Sequence, residues 1–336
     1  MPSGTIYVSK ALTDFVVKYQ NKAYVGTQAL PPVTVSKKQG TYFVFDKTNA
    51  FALEDTARPH LSVAGMSDLA ASTATYSCED HAWREFMADS SYDQADAPIK
   101  AQMNKAEYVT NILLLAQEAR IKTLLETNGS YATTMTLTAA GTSDGYQFDQ
   151  YTAGGTSIFD IFETAKAACF QPPNSEAVLL VSQETFRIMK HHPAILNRIA
   201  GGATTEMPAS VLKRTLAEIL EFDDILVGEA KYNSTAQTAT GTYTWLWGRH
   251  AIVFYRAKSP SMDAAGLGYS FSYAPGPQTS GQVPGVLGGW RVRTYRDEAI
   301  GGGGRFVEVE QYPDEKIVCS DAGVKIIDAI GSVIPT

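Results

Sequence analysis

One long helix constrains the fold of this 336-residue chain more than any other feature. Asp96 can cap this helix, Pro98 falls in its first turn, and Gly129 follows it as a C-terminal stop signal. Between them, helical spacing recurs in Val109, Ile112, Leu113, Ala116, Arg120 and Leu124. About 30 residues rising 1.5 Å each predict a rod of roughly 45 Å. Such a rod is longer than a compact domain of this size needs.

Shorter elements surround the rod on both sides. The N-terminal part of the chain predicts a helix at 12–19. Pro31 and Pro32 break any further helix, and strands are predicted after them at 33–35 and 42–45. Residues 131–155 predict a strand pair with turns. Helices are then predicted at 157–170, 184–197 and 211–220, and strands in AVLLVS, DILVGEAKY and TYTWLWGRHAIVFYRA. The tail from residue 288 alternates over long stretches and is interrupted by four glycines at 301–304.

Composition and charge argue against several classes of protein. With 44% hydrophobic and 19% charged residues, the chain is typical of a globular protein with two domains or one elaborated domain. No apolar run reaches the roughly 20 residues that cross a bilayer, and the N-terminus lacks a secretory pattern. Cys78, Cys169 and Cys319 form no CxxC motif, which fits a reducing, intracellular origin. A net charge of −7 argues against gripping duplex DNA through its phosphates.

The charge is distributed unevenly along the chain. Residues 1–38 carry five lysines against Asp14 alone, a net charge of +4. Residues 50–96 carry nine acids against Arg58 and Arg84, a net charge of −7. Residues 50–91 also offer few side chains for a core, so this excursion is predicted to be disordered or to be ordered by a partner. The two charged segments are either ordinary solvated surface or a contact across a subunit boundary.

The adjacent His191 and His192 are the first candidates for a chemical site. Neighbouring side chains on a helix lie 100° apart, so the pair cannot chelate one metal as an i,i+4 pair would. Pro193 disfavours helix at His192, so the pair is interpreted as a helix end, where imidazolium would complement the helix dipole. His250 is interpreted as a turn or strand-edge residue rather than as a base.

The remaining motifs do not assemble a site. The sequence has no GxSxG and no HExxH, and GGGGRF lacks the Lys-Ser/Thr of a phosphate-binding loop and is interpreted as a hairpin tip. Glu308 and Glu310 share one strand face and could act as a carboxylate pair, but they are interpreted as an exposed face. A sheet core is predicted from Trp245, Trp247, Phe254 and Tyr255, because no basic residues interleave with them. We therefore predict no catalytic, cofactor-binding or metal-binding residues, and no enzyme.

The order of the elements is more specific than any motif. The specific segments are YQFDQYTAGGTSIFDIFETAKAACFQPPNSEAVLLVSQETFRIMKHHPAI, LAEILEFDDILVGEAKY, WLWGRHAIVFYR, GYSFSY and RFVEVEQYPDEKIVCSDAGVKIIDAI. In this order, over about residues 97–330, the chain resembles the major capsid proteins of tailed bacteriophages, which have the Hong Kong 97-type fold. In detail it resembles the branch that contains the phage lambda coat protein.

This resemblance implies an α+β fold with a defined division of the chain. It assigns an N-terminal arm (1–35), an extended β-hairpin loop (36–92), a peripheral domain with a spine helix (93–170), an axial domain (171–290), peripheral strands (291–320) and a C-terminal strand that returns to the axial domain (321–336). Because the arm starts near Met1, we expect a separate scaffolding protein. Lys37, Lys38 and Lys47 all lie near the base of the loop, which argues against a Lys–Asn cross-link between subunits.

The implied function is that of the major capsid protein of a tailed double-stranded DNA phage. Hexamers and pentamers would build an icosahedral head, located in the virion and assembled in the host cytoplasm. Expected partners are further copies of the chain, portal, scaffolding and decoration proteins, and weakly contacted DNA, without a cofactor or a membrane. The alternatives are an encapsulin-type nanocompartment shell protein and a soluble α/β enzyme with a site at His191 or His250.

Overall fold

The computed structural model describes residues 7–18, 21, 23–45, 47, 57–58, 72–90, 98–151, 157–200, 209–235, 241–274, 286, 288–298 and 303–331. The helices with defined bounds are α1 (Lys10–Lys18), α2 (Gly26–Ala29), α3 (Pro98–Glu126), α4 (Ile158–Ala168), α5 (Gln183–Lys190), α6 (Pro193–Ala200) and α7 (Ala209–Ile219). The first strands are β1 (Tyr7–Val8), β2 (Pro32–Val35), β3 (Gln39–Val44), β4 (Ser72–Ser77), β5 (His81–Ala88), β6 (Thr133–Thr138), β7 (Gly145–Tyr146) and β8 (Ser175–Ser182). The others are β9 (Asp224–Gly228), β10 (Lys231–Asn233), β11 (Tyr243–Trp245), β12 (Ala251–Ala257), β13 (Gly268–Tyr273), β14 (Trp290–Asp297), β15 (Gly304–Gln311), β16 (Pro313–Ile317) and β17 (Gly323–Ile327).

Helix α3 is the rod that the sequence predicts. It has 29 residues, which at 1.5 Å each make about 43 Å. Its first half packs through Val109 and Leu113 against α1 and the strands β14 and β15. Its second half packs through Ile121 and Leu125 into a different cluster beneath β8 and β12. One helix therefore takes part in two cores, which explains its length.

The largest sheet has six strands in the order β7-β6-β17-β12-β8-β9. Apolar residues on both faces bury β8 from Val178 to Ser182, as predicted for AVLLVS. Leu179 and Val181 face the cluster that includes α4 to α7, whereas Val178 and Leu180 face the cluster that includes α2 and α3. Strand β17 enters this sheet between β6 and β12, so the chain's tail is part of its centre.

A second sheet has four strands in the order β1-β14-β15-β5. β14 and β15 form the antiparallel hairpin predicted around the glycine run, with Asp297 opposite Gly304. A third sheet has the order β16-β13-β2, and β2 runs parallel to β13. The mixture of helices with parallel and antiparallel strands is the α+β class that the resemblance implies.

The single helix predicted at residues 184–197 is wrong. The structure has two helices, α5 and α6, separated at His191 and His192. Pro193 lacks an N–H and disfavours helical backbone in the residue before it, so α5 ends and α6 begins anew.

The prediction that residues 50–91 are disordered or are ordered by a partner is wrong for residues 72–90. β4 pairs with β3, and all eight residues of β5 pair with β15. Tyr76, Cys78 and Met87 are buried. Most side chains of β5 are still partly or fully exposed, because β5 lies at the edge of its sheet, and this is why the sequence reads as polar. Residues 50–56, 59–71 and 91 of the excursion lie outside the described residues.

Candidate functional site

His191 and His192 lie at a helix end, as the sequence predicts, but they differ in their surroundings. His191 is the C-cap of α5 and is exposed. His192 contacts Tyr151 edge-on at 5.5 Å between ring centroids, and its Nδ1 accepts a hydrogen bond of 3.2 Å from the N–H of Ala194. Burial lowers the pKa of His192. The predicted imidazolium is therefore wrong for His192, because an Nδ1 that accepts a hydrogen bond belongs to a neutral ring.

His250 lies directly before β12, as predicted for a strand-edge residue. Its Nδ1 accepts a hydrogen bond of 3.2 Å from the N–H of Asp328. Burial, and after it the nearby charge of Lys325, lower its pKa. His250 thus connects the start of β12 to the end of β17, and the geometry gives it a structural role.

The thiols of Cys78 and Cys169 are poor nucleophiles. Burial raises the pKa of Cys169 to about 12. Burial, and to a smaller extent the charge of Asp314, raises the pKa of Cys78 to about 12 as well. Since the thiolate is the reactive form, neither residue is activated at neutral pH.

The interpretation of Glu308 and Glu310 as an exposed strand face is wrong. The two carboxylates pair with Arg291 and Arg293 of the neighbouring strand β14, and the side chain of Arg293 reaches both of them. Register explains the cluster, because Arg291 lies opposite Glu310 and Arg293 lies opposite Glu308. The sequence pattern indicated the two acids but did not indicate the arginines that form ion pairs with them.

Two tyrosines and a third arginine complete this cluster. The hydroxyl of Tyr295 donates to Glu308, and the hydroxyl of Tyr312 donates to Glu310. Arg84 on β5 donates to the Tyr295 oxygen at 2.8 Å. Burial opposes ionisation of Glu308, but the hydrogen bond and charge of Arg293 outweigh it and lower the pKa of Glu308. The carboxylates are therefore held as ion-pair partners across three strands, which is a bracing role and not an acid–base one.

Glu118 forms a second buried polar centre that the sequence did not reveal. This residue of α3 is 2% exposed. Its Oε1 accepts from the N–H of Val25 at 3.0 Å and from the indole of Trp247 at 2.8 Å, and its Oε2 accepts from the N–H of Gly26 at 2.7 Å. Burial raises the pKa of Glu118, although these three donors oppose the rise. One side chain thus ties the N-terminal segment, the long helix and the segment before β12 together.

Lys325 stabilises the C-terminal end of α3. Its Nζ donates to the carbonyl of Glu126 and, at 2.9 Å, to Oδ1 of Asn128. A cation at this end complements the helix dipole and satisfies a carbonyl that has no partner within the helix. Because Lys325 lies on β17, this contact connects the long helix to the centre of the six-stranded sheet.

The paired strands β3 and β4 are anchored at their base. The N–H of Ser77 donates to Asp314 at 2.7 Å, and Lys38 pairs with Asp80 at 2.6 Å. Tyr76 stacks on Phe271 with ring centroids 4.9 Å apart. The base of these paired strands is therefore held against the three-stranded sheet, while Phe43 further along is exposed.

Several large apolar side chains lie on the surface instead of in a core. Tyr108 on α3 is 56% exposed, and Tyr243 on β11 is 71% exposed. Trp83 on β5 is exposed as well. Exposed aromatic residues are enriched where proteins bind other proteins. These residues are candidates for contacts between copies of the chain.

The side chains that could bind a metal ion are dispersed over the described part of the chain. Its His, Cys, Asp and Glu residues do not gather in groups of three or more that could hold a metal ion. No helix within these residues combines the length and apolar character needed to span a membrane. The arrangement of polar residues braces the fold, and the exposed aromatic surfaces are the remaining functional candidates.

Comparison with known proteins identifies the architecture. No family model matches the sequence. The chain is 26% identical over 297 residues to the major capsid protein of Pseudomonas phage JBD67, covering 87% of this chain and 92% of the relative. A crystal structure of a phage-related protein from Bordetella bronchiseptica is 18% identical and superimposes with a TM-score of 0.69, covering 97% and 98% of the two chains. The capsid of cyanophage P-SCSP1u is 11% identical, with a TM-score of 0.51 and coverage of 92% and 89%.

The long helix, the four-stranded and six-stranded sheets and the matching solved structures define a class, the Hong Kong 97-type capsid fold. Within this class the chain is similar in sequence to the major capsid proteins of phages. The resemblance stated from the sequence is confirmed at this level. The narrower relation to the phage lambda branch and the six-part division of the chain stay predictions.

Proposed function

We propose that this protein builds the icosahedral head of a tailed double-stranded DNA phage from hexamers and pentamers. The similarity to a phage major capsid protein over 87% of the chain carries the proposal. The exposed Tyr108, Trp83 and Tyr243 support it, since a shell would cover such residues with neighbouring copies. The buried carboxylates and thiols described above are committed to structure, which supports a protein without catalysis.

Further parts of the proposal concern partners and place. Portal, scaffolding and decoration proteins would join the shell, which would be assembled in the host cytoplasm and retained in the virion. The net charge of −7 suits a container whose contacts with packaged DNA are weak and non-specific.

Electron microscopy of the purified protein, combined with nuclease treatment of the isolated particles, tests this function. We expect closed shells tens of nanometres across and, in particles isolated from infected cells, nuclease-protected double-stranded DNA. Shells that enclose a protein cargo and no DNA would indicate an encapsulin-type compartment. Small particles with an activity lost in His191 or His250 variants would indicate an enzyme and overturn the proposal.

A further inference from the structure

Asn128 and Gly129 lie in an exposed turn directly after α3. Asn128 is the one asparagine of the chain that a glycine follows. Both residues are exposed, and both belong to the short 3-10 helix Asn128–Ser130. In an asparagine–glycine pair the backbone nitrogen of the glycine can attack the side-chain amide with little hindrance, because glycine has no Cβ. This turn is therefore a candidate for covalent change.

The backbone nitrogen of Gly129 is accessible as a nucleophile. Its N–H donates to no other described residue. The carbonyl groups that it would reach in a continued helix, those of Leu125 and Glu126, accept from Tyr131 and Lys325 instead. A Cβ added at Gly129 would meet no atom within 4 Å, so the surroundings of this nitrogen are open. No hydrogen bond within the described chain is lost when it reacts.

The closed turn holds the reacting atoms apart. In a 3-10 helix ψ is about −20 to −30°, which keeps the next backbone nitrogen roughly 90° away from the plane in which it could bond to the side-chain carbon. Two hydrogen bonds maintain this shape. The N–H of Ser130 donates to the carbonyl of Thr127 at 3.1 Å, and the N–H of Tyr131 donates to the carbonyl of Asn128 at 3.3 Å. The reaction therefore requires the turn to open first.

Lys325 holds the turn closed from the six-stranded sheet. Its Nζ donates to Oδ1 of Asn128 at 2.9 Å and to the carbonyl of Glu126. Lys325 is buried within β17, so its ammonium keeps the asparagine side chain in one orientation. Hydrogen bonds from a charged donor are stronger than those between neutral groups, so this contact favours the closed turn.

We propose that Asn128 is a site of spontaneous deamidation, and that opening of the turn after α3 sets its rate. In the open turn the backbone nitrogen of Gly129 loses its proton to solvent and forms a bond to Cγ of Asn128. The bond from Cγ to the side-chain nitrogen breaks, this nitrogen takes up a proton and leaves as ammonia, and a five-membered imide remains. Water then adds to one of the two imide carbonyls and opens the ring, which gives aspartate or isoaspartate.

Either product changes the contact at the end of α3. Aspartate places a carboxylate where the neutral amide accepts from Lys325, so a hydrogen bond becomes an ion pair. Isoaspartate instead routes the main chain through the side-chain carbon, which lengthens the main chain by one methylene and shifts the turn relative to Lys325. The modification therefore acts on the contact that joins the long helix to the centre of the sheet, and it does not rest on the proposed function.

Peptide mass mapping of folded subunits, kept at mildly alkaline pH in heavy-oxygen water, tests this inference. We expect heavy oxygen to enter at Asn128 about tenfold faster than at Asn233, which is also exposed but is followed by serine. Gly129→Ala should slow the reaction about tenfold, because the added Cβ hinders the nitrogen yet meets no atom within 4 Å and leaves the turn intact. The wild-type chain in urea is the positive control and should react faster than the folded chain, because the turn no longer restrains Asn128.

Two lysine variants test whether opening of the turn sets the rate. Lys325→Met frees Oδ1 of Asn128 and the carbonyl of Glu126, so deamidation should become several-fold faster. Lys122→Met, at the same end of the helix, is the matched control and should react at the wild-type rate. A slower reaction in Lys325→Met would contradict the protective role of the lysine. An Asn128 that stays unmodified in the folded chain while it reacts fully in urea would overturn the proposal, and so would equal rates at Asn128 and Asn233.

Discussion

His192 is held neutral by its surroundings, and this gives the folded chain a pH dependence that can be measured. Its Nδ1 accepts a hydrogen bond, its ring packs on Tyr151, and burial lowers its pKa. The unfolded chain, with a histidine pKa of about 6.5, therefore binds the proton first as the pH falls. The stability that neutral His192 contributes is present above about pH 6.5 and is lost as the pH falls towards the folded-state pKa.

We expect the His192→Gln variant to lose this part of the pH dependence. Urea denaturation of subunits between pH 7.5 and pH 5 should give a free energy of unfolding that falls less steeply than in the wild type. His191→Gln replaces an exposed residue next to it and should keep the wild-type slope. Both single variants and the double variant should still form shells. Equal slopes for all chains would contradict the neutral state, and loss of a bound transition metal in elemental analysis of the double variant would indicate a metal site.

At the scale of elements, the end of α3 depends on a residue that is 199 positions away in the sequence. Lys325 is 3% exposed and donates to the carbonyl of Glu126 and to Asn128. Hydrogen bonds to charged groups contribute about 1.5–3 kcal/mol each, and an unpaired buried carbonyl costs a further penalty. We therefore expect Lys325→Met to lower the free energy of unfolding by about 2 kcal/mol and to speed hydrogen exchange near residues 123–130.

Lys122 offers a matched control at the same end of the helix. It forms an i,i+4 ion pair with Glu126 at 2.8 Å and is partly exposed. Such pairs contribute about 0.3–0.5 kcal/mol, so Lys122→Met should change the stability little. An equal loss in the two variants would mean that charge near the helix end, and not the buried contact of Lys325, stabilises α3.

For the whole molecule, the charge asymmetry is a prediction about assembly. Lys22 and the side chains of Lys10 and Lys18 lie outside the described residues, so the contact of the +4 segment with an acidic segment of a neighbour stays a prediction. Each exposed pair contributes about 0.2–1 kcal/mol and is screened over about 8–10 Å. We expect a chain that carries Lys10→Gln, Lys18→Gln and Lys22→Gln to close its shells more slowly at low salt, because the exposed ion pairs recur in every subunit. Light scattering follows the rate of closure.

The control for this prediction removes the same charge elsewhere. Three exposed lysines lie outside the N-terminal segment, namely Lys213, Lys231 and Lys258. We expect a chain with Gln at these three positions to close its shells faster than the chain with Gln at positions 10, 18 and 22. Circular dichroism should show folded subunits in both. If the chain with Gln at positions 10, 18 and 22 closed its shells at the wild-type rate and with the wild-type salt dependence, the charge asymmetry would be ordinary solvated surface.

The sequence by itself determined the features that depend on neighbours along the chain. The ends of α3 follow from Pro98 and Gly129, and the break between α5 and α6 follows from Pro193, although the sequence was first interpreted there as one helix. The buried strand β8 and the hairpin of β14 and β15 were also predicted, because apolar periodicity and glycine act within a few residues. The order of these elements was enough to identify the capsid fold by resemblance.

Only the tertiary structure decided which distant side chains meet. The alternating arginines of β14 and acids of β15 are visible in the sequence, but a shift of one residue in register would place them on opposite faces. Glu118 meets Val25 and Trp247 across 93 and 129 positions, and β5 gains its order from pairing with β15. Such contacts form when separate elements pack together, so no local pattern records them. For this reason the buried ion pairs became visible only in the folded chain.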